Sequence, residues 1–216
     1  WFETIKHGIL FKFNLAIAFP TFGRILNSLM LLTPWLSSRL ITPSLSKKTA
    51  VFLDRDGTIN YDNGYTHKFS EFKFRPYVLK GLKYLSKKKY LIFIVTNQAG
   101  IAKGKFKLTD LLKLHKQLVT YLEKRNIYIS DIKFCPYHPK ALIKAYKKKS
   151  GYRKPGNLMI KQIVKKWKVN IKKSFMLGDR NSDKLAAKKS NLYYEHVKDN
   201  FYNQIKKIDK KIASNY

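Results

Sequence analysis

The chain has 216 residues, with 45 Lys and Arg against 13 Asp and Glu, which gives a formal net charge of +32. Hydrophobic residues make up 44%, which excludes a disordered basic tail because disorder combines high charge with low hydrophobicity. The positive charge raises the hypothesis of a nucleic-acid partner, since clustered cations bind phosphate backbones by releasing counterions. Only 7 of the 45 cations are Arg, however, and Arg is the better marker of phosphate and base recognition. We therefore interpret the Lys excess as mostly compositional.

The composition changes near residue 47, between an apolar N-terminal segment and a basic remainder. Residues 1–47 carry five cations and one acid, whereas residues 48–216 carry 40 cations and 12 acids. We predict an N-terminal extension of unknown role over 1–47 and one folded domain over 48–216. Lys12, Arg24 and Arg39 leave uncharged windows of only 11 and 14 residues, and a membrane span needs about 20 apolar residues. No span is expected, which leaves a peripheral membrane segment, a protein-docking arm or the tail of an upstream unit as alternatives.

Strands and helices alternate along the basic remainder. The first predicted elements in chain order are a buried strand at Ala50–Leu53, a helix at Val78–Lys88 and a strand at Tyr90–Val95. A helix capped by Thr109 follows, and its apolar stripe consists of Leu111, Leu114, Leu118 and Leu122. The remaining elements are a strand at Ile127–Phe134, a helix at Leu158–Trp167 and a strand at Ser174–Leu177. This alternation predicts an α/β fold, with a Rossmann-like parallel sheet and helices on both faces. Ligands of such sheets bind beyond the carboxyl ends of the strands, so we expect the functional residues just after Leu53, Val95 and Leu177.

Carboxylates are concentrated at two of these strand ends. Asp54 and Asp56 follow the first strand, and Asp179 and Asp183 follow the last, although the whole chain has only 13 acids. Clustered carboxylates repel one another, so the arrangement requires a cation or a proton to neutralise it. Oxygen ligands without His or Cys favour Mg²⁺ over zinc or copper. Asp183 has two interpretations: it binds the metal, or it fixes Lys154 and the loop of its own motif.

The residue types at the strand ends are typical of phosphate chemistry. Asp54 and Asp56 point the same way in an extended segment, so both can face one substrate. One carboxylate can attack phosphorus, and the other can protonate the leaving oxygen and later activate water. Thr96 and Asn97 can donate hydrogen bonds to phosphoryl oxygens. The segment Arg153–Pro155 adds two cations where transferring phosphate builds negative charge.

Four ordered segments carry a resemblance to a known family. Phe52–Asn60, Val95–Gly104, Arg153–Pro155 and Gly178–Arg180 resemble the four motifs of the haloacid-dehalogenase phosphatases. Within that superfamily the chain is similar to the D-glycero-D-manno-heptose 1,7-bisphosphate 7-phosphatases, with histidinol-phosphate phosphatases as close relatives. The match runs from about Ala50 to Asn191. It implies that the domain over 48–216 is a haloacid-dehalogenase-like phosphatase with a minimal cap.

The resemblance also implies roles for individual residues. Asp54 is expected to be the nucleophile and Asp56 the general acid and base. Mg²⁺ is expected to bind Asp54, Asp179 and the backbone carbonyl of Asp56. Thr96 and Lys154 would stabilise the phosphoryl group, and Arg153 would contribute to substrate recognition. The positions that match substrate contacts of the family are Asp62, Asn63, Gly64, Tyr65, Asn97, Gln98, Ala99 and Arg180.

The substrate and partners follow from the same comparison. Gly64–His67 and Gly100–Phe106 fit the heptose branch, so a small sugar phosphate is the expected substrate and histidinol phosphate is an alternative. The Thr-Asn-Gln and Tyr-Arg-Lys-Pro elements are shared with polynucleotide 3′-phosphatases, which keeps a nucleic-acid substrate as a further alternative, although a nucleic-acid partner is not expected. The remaining alternative is a protein without catalytic activity that docks to a partner through residues 1–47.

Two expectations concern the metal and redox chemistry of the loop after the third strand. Members of the family often hold a structural zinc there, but Tyr137, Ser150 and Tyr152 stand at three of the ligand positions. At most Cys135 and His138 remain, so zinc is not expected. Because Cys135 is the single cysteine, we predict a small buried side chain and a reducing, cytoplasmic setting.

Overall fold

A five-stranded parallel sheet forms the centre of the domain. The computed structural model describes residues 47–214, so the predicted extension lies outside the described residues except for Lys47. The strands are β1 (Ala50–Leu53), β2 (Leu91–Asn97), β3 (Asp131–Cys135), β4 (Phe175–Gly178) and β5 (Tyr193–His196). Their order in the sheet is β3-β2-β1-β4-β5, with every pair parallel. The predicted α/β class is confirmed.

Helices cover both faces of this sheet. They are α1 (Val78–Lys87), α2 (Ala99–Ala102), α3 (Leu108–Glu123), α4 (Leu158–Trp167), α5 (Asn181–Lys188) and α6 (Phe201–Ser214). Successive strand residues point to opposite faces. Val51 and Leu53 therefore pack with apolar residues of α1, α3 and α6, whereas Ala50 and Phe52 pack with those of α4 and α5.

Local sequence placed most elements well, but the cap of the second long helix and the start of the third strand differ clearly from the prediction. The prediction that Thr109 caps a helix is wrong, because α3 begins after Lys107 and the carboxylate of Asp110 accepts the Lys107 N–H at 2.8 Å. An acid in the first turn satisfies a free backbone donor there. The third strand starts at Asp131 rather than Ile127, since the Ile127 N–H still bonds back to Leu122 and ends the helix.

The chain beyond the carboxyl ends of the strands is mostly loop. Segments 54–77 and 136–157 contain only short 3₁₀ turns, at Phe69–Glu71 and Lys144–Tyr146, so any cap over the sheet edge is minimal among the described residues. Strand order reverses at β1, because the chain runs outward through β2 and β3 on one side and then crosses back to β4 on the other. A crevice at this switch point is where open α/β sheets bind ligands. Within residues 47–214, no helix combines the length and apolar character that crossing a bilayer requires.

Candidate active site

Asp54 lies at the bottom of the crevice, directly after β1. Its backbone N–H bonds to the Leu177 carbonyl at 3.0 Å, and its side chain is almost completely buried. One carboxylate oxygen, Oδ1, accepts the Arg55 N–H at 2.7 Å and pairs with Lys154 Nζ at 2.8 Å. Burial raises the pKa of Asp54 to about 6, with Lys154 opposing the shift and Asp183 adding to it. The second oxygen takes neither of these two contacts, so one face of the carboxylate is available to a ligand.

Lys154 is a buried cation held between two carboxylates. Its Nζ lies 2.8 Å from Asp54 Oδ1, 2.6 Å from Asp183 Oδ1 and 2.7 Å from the Val95 carbonyl. Burial lowers the pKa of Lys154, but the two carboxylates outweigh burial and leave it above its ordinary value. Asp183 also accepts the Arg180 N–H at 3.0 Å. Of the two interpretations of Asp183, the contacts therefore match the one in which it fixes Lys154 and the motif loop.

Asn97 fastens the loop that carries Lys154 to the end of β2. Its Oδ1 accepts the Lys154 backbone N–H at 3.0 Å, and its Nδ2 donates to the Lys154 carbonyl at 3.0 Å. This reciprocal pair uses one donor and one acceptor of the side-chain amide. Asn97 also lines the crevice, so its side chain both holds this loop and faces the site.

Asp56 is surrounded by hydrogen-bond donors. The guanidinium of Arg55 donates to both carboxylate oxygens from Nη2 at 2.9 Å and to Oδ1 from Nε at 3.1 Å. Asn60 Nδ2 donates at 3.0 Å, and Gln98 Nε2 donates at 2.8 Å while also reaching Thr96 Oγ1 at 2.9 Å. The orientation of Asp56 is therefore set by several neighbouring side chains.

Asp179 brings a third carboxylate against the loop after β1. Oxygens of Asp54, Asp179 and Asp183 lie within 4.8 Å of one another. Oδ1 of Asp179 is buried without a hydrogen-bond partner, and burial, followed by Asp183, raises the pKa of this residue. A Cβ on Gly57 would stand 2.2 Å from Asp179 Oδ2, so only glycine lets this carboxylate approach. An unpartnered oxygen in an all-oxygen cluster fits a hard divalent cation such as Mg²⁺.

Asp54, Asp56 and Lys154 open into one crevice with a volume of about 390 Å³. The lining includes most of the predicted site residues, namely Asp54, Asp56, Asp62, Gly64, Tyr65, Thr96, Asn97, Gln98, Ala99, Arg153, Lys154 and Arg180. Asp62 pairs with Arg180 at 2.5 Å, and Lys103 Nζ donates to the Tyr65 hydroxyl at 2.8 Å. Lys103 and Arg180 therefore add positive charge to the crevice that holds Asp54.

Comparison with known proteins decides the family. A family model described as polynucleotide kinase 3 phosphatase matches residues 49–216. A protein of Rhodopseudomonas palustris, named D-glycero-beta-D-manno-heptose-1,7-bisphosphate 7-phosphatase, is 37% identical over 148 residues, or 68% of this chain and 82% of that protein. The chain belongs to this family of haloacid-dehalogenase phosphatases. It is a phosphoric monoester hydrolase.

Two further comparisons bear on the branch and the fold of this phosphatase. A Photorhabdus laumondii protein, 36% identical over 147 residues (68% of this chain, 80% of that protein), is named for the alpha anomer of the same heptose bisphosphate. The crystal structure of D,D-heptose 1.7-bisphosphate phosphatase from B. bronchiseptica, complexed with magnesium and phosphate, superposes with a TM-score of 0.63. It is 20% identical and the match covers 77% of this chain and 97% of that one, a similarity that supports the fold.

The phosphatase differs from the sequence expectations in a few positions. Asn63 is exposed and Asp179 is half-buried, and neither lines the crevice; Asp179 lies against the Gly57 turn and lines a neighbouring cavity. The carboxylate of Asp56 does not join the Asp54–Asp179–Asp183 cluster, and a metal contact through its backbone carbonyl stays a prediction. Roles for these residues stay predictions.

Several residues at the site were not singled out from the sequence. Lys103, Gly100, His138 and Ser182 line the crevice. Lys103, Gly100 and Ser182 stand inside or beside the quoted motifs, whereas His138 lies in the loop after β3 and was considered from the sequence only as a remaining zinc ligand. His115 of α3 is buried against Arg55.

Packing orders the loop after β3. Lys148 Nζ lies 3.9 Å from the centre of the Tyr137 ring, and the His138 N–H donates to the Tyr146 carbonyl at 3.1 Å. The N–H groups of Leu142 and Ile143 both bond to the Ala102 carbonyl. Cys135 is buried, as predicted. These contacts join the loop to α2 and to the rim of the crevice.

Proposed function

We propose that this phosphatase removes the 7-phosphate of D-glycero-D-manno-heptose 1,7-bisphosphate in a Mg²⁺-dependent reaction. The observation that carries the proposal is the crevice itself. Its lining combines the Asp54–Lys154 pair with three further cations, Lys103, Arg153 and Arg180, which suits a substrate that carries two phosphates. The names of the curated relatives support the choice of sugar.

In the first step, the Asp54 carboxylate attacks phosphorus and the bond to the sugar oxygen breaks, which leaves an aspartyl-phosphate. Lys154 holds Asp54 in place through Oδ1, and its positive charge opposes the negative charge that builds on the phosphoryl oxygens. The hydroxyl of Thr96 lines the same crevice and can donate to one of those oxygens.

Asp56 moves the proton in both steps. The sugar oxygen leaves with a proton from the Asp56 carboxyl, and the resulting carboxylate then takes a proton from the water that attacks the aspartyl-phosphate. Inorganic phosphate and regenerated Asp54 are the products. Mg²⁺, when bound by Asp54, Asp179 and the Asp56 carbonyl, would neutralise charge on the carboxylates and the phosphoryl group.

A second candidate is removal of a 3′-phosphate from a polynucleotide. Two observations favour it, namely the description of the matching family model and the 40 cations against 12 acids over residues 48–216. If a polynucleotide is the substrate, its affinity for the protein should fall steeply as the salt concentration rises, because each phosphate contact releases counterions. A small sugar phosphate predicts a much weaker salt dependence.

A phosphate-release panel tests these candidates. Purified protein with Mg²⁺ is assayed on both anomers of heptose 1,7-bisphosphate, on histidinol phosphate and on 3′-phosphorylated oligonucleotides. We expect the highest kcat/KM on a heptose bisphosphate and loss of activity on chelation with EDTA that Mg²⁺ restores. Preference for the oligonucleotide or for histidinol phosphate would refute the sugar assignment.

The nucleophile is tested with a matched pair of variants. Asp54→Asn should lower phosphate release by about 10³-fold or more, since the attacking carboxylate is gone. Asp131→Asn is the control, because Asp131 starts β3 at the amino end of the sheet, away from Asp54, and pairs with Lys133 and Lys166. Activity that survives in Asp54→Asn would remove Asp54 from the mechanism.

A further inference from the structure

Arg55 is a completely buried cation next to the proposed acid and base. Its Nε and Nη2 face the Asp56 carboxylate, and Nη2 also donates to the Thr66 carbonyl at 2.7 Å. Its remaining nitrogen, Nη1, contacts His115 Nε2 at 3.2 Å. Nε and Nη2 are therefore directed at Asp56, whereas Nη1 has its hydrogen-bond partner in a histidine of α3.

The neighbours of His115 make it a hydrogen-bond acceptor. The side chain is buried on the inner face of α3, and burial together with the Arg55 charge lowers the pKa of His115 to about 3. A neutral imidazole offers one ring nitrogen as an acceptor, and Arg can only donate. The ring also packs edge-on against Phe134, with ring centroids 5.8 Å apart. The imidazole is thus held with Nε2 towards Arg55.

We propose that His115 is a positioning residue, which acts through Arg55 to hold the Asp56 carboxylate where it can protonate the leaving group. Loss of the acceptor would leave Nη1 buried and unpaired, a state costly enough to make the guanidinium turn or to admit water. The Arg55–Asp56 contacts depend on the plane of that guanidinium, so the carboxylate would move with it. The inference rests on the proposed role of Asp56 in proton transfer.

Leaving-group dependence separates this role from a merely structural one. An alkoxide leaving group needs a proton in the transition state, whereas p-nitrophenolate leaves without one. His115→Leu removes the acceptor at similar size, and His115→Gln places an amide oxygen near the position of Nε2. Leu118→Ala is the destabilising control, because Leu118 is buried on the same helix and contacts the core instead of Arg55.

The experiment measures kcat and KM with Mg²⁺ for p-nitrophenyl phosphate and for the alkyl phosphate ester that the wild type cleaves fastest. His115→Leu should lower kcat for the alkyl ester by about 10–100-fold, with KM and p-nitrophenyl phosphate turnover changed by no more than about threefold. His115→Gln should restore most of the alkyl-ester activity. Leu118→Ala should lower the melting temperature and leave the ratio of the two activities unchanged.

Three results would overturn the proposal. They are an equal loss on both substrates in His115→Leu, no loss on either, and a His115→Gln variant as impaired as His115→Leu. Asp56→Asn is the reference variant for loss of the general acid, and it should lose more activity on the alkyl ester than on p-nitrophenyl phosphate. An equal loss on both substrates in Asp56→Asn would refute the role of Asp56 and this inference together. A wild type that cleaves a different alkyl ester best, with the predicted pattern in His115→Leu, would refute the heptose substrate while supporting His115.

Discussion

Replacing His115 by Gln should change how the stability of the domain responds to acid. The imidazole is buried beside the Arg55 guanidinium, and both burial and that charge lower its pKa, to about 3, against an ordinary value of 6.5. The unfolded chain therefore binds a proton at this side chain below about pH 6.5, and the folded chain does not. Stability from this group is present above that pH and is lost as the pH falls towards 3.

The size of the effect follows from the gap between the two pKa values. At pH 5 the medium is about 1.5 pH units below the ordinary value of His, and each unit is worth about 1.4 kcal/mol, so the loss is about 2 kcal/mol. Asp54 acts in the opposite direction, because burial raises its pKa to about 6 and the folded state takes up a proton as the pH falls from 7 to 5. Asp54 is present in both proteins, so its contribution cancels in their difference.

Urea unfolding followed by circular dichroism, at pH 7 and pH 5 in one Mg²⁺ buffer, measures this difference. Between the two pH values the wild type should lose about 2 kcal/mol more of its free energy of unfolding than His115→Gln does. The variant will have its own stability at pH 7, and only the pH-dependent change enters the comparison. Equal changes in the two proteins would show that His115 takes up its proton in the folded state, which would refute the buried neutral imidazole.

Two further predictions concern the buried charges and the turn beneath them. Lys154→Met should lower the free energy of unfolding by about 3–5 kcal/mol, because Asp183 is left buried without a cation, whereas Lys166→Met at the surface should change it by less than about 1 kcal/mol. Similar urea midpoints for Lys154→Met and Lys166→Met would contradict the prediction that Lys154 neutralises a buried carboxylate. Gly57→Ala should reduce Mg²⁺-dependent activity at least about tenfold and weaken Mg²⁺ activation, since the new Cβ displaces Asp179; unchanged Mg²⁺ dependence would argue against a metal at that carboxylate.

Short-range patterns in the chain were enough to predict the class of fold. The run Ala50–Leu53 is continuously apolar, and a strand buried on both faces needs that composition. The α6 stripe of Ile205, Ile208 and Ile212 is equally regular and would have predicted the last helix. The edge strand β5 carried no such signal, because its residues are only half-buried and mix aromatic with charged side chains.

Motif residues could be grouped from sequence because parallel strands all end at one edge of the sheet. Asp54 and Asp179 follow β1 and β4, and Thr96 lies at the end of β2 beside them, so their proximity follows once the strands are recognised. The metal-binding potential of the acidic cluster follows in the same way. The lining of the crevice was harder to predict, since Asn63 stands next to Asp62 in sequence and yet does not line it.

The partners of each side chain depended on packing between distant segments. His115 is 60 residues from Arg55 in sequence, and Asn97 is 57 residues from the Lys154 backbone that it holds. Nothing local to a helix reveals which of its inward residues will meet a buried cation, because that depends on how the helix is set against the sheet. Chemistry was thus readable from a few motifs at strand ends, whereas the orientation of those motif residues came from contacts that only the folded chain brings together.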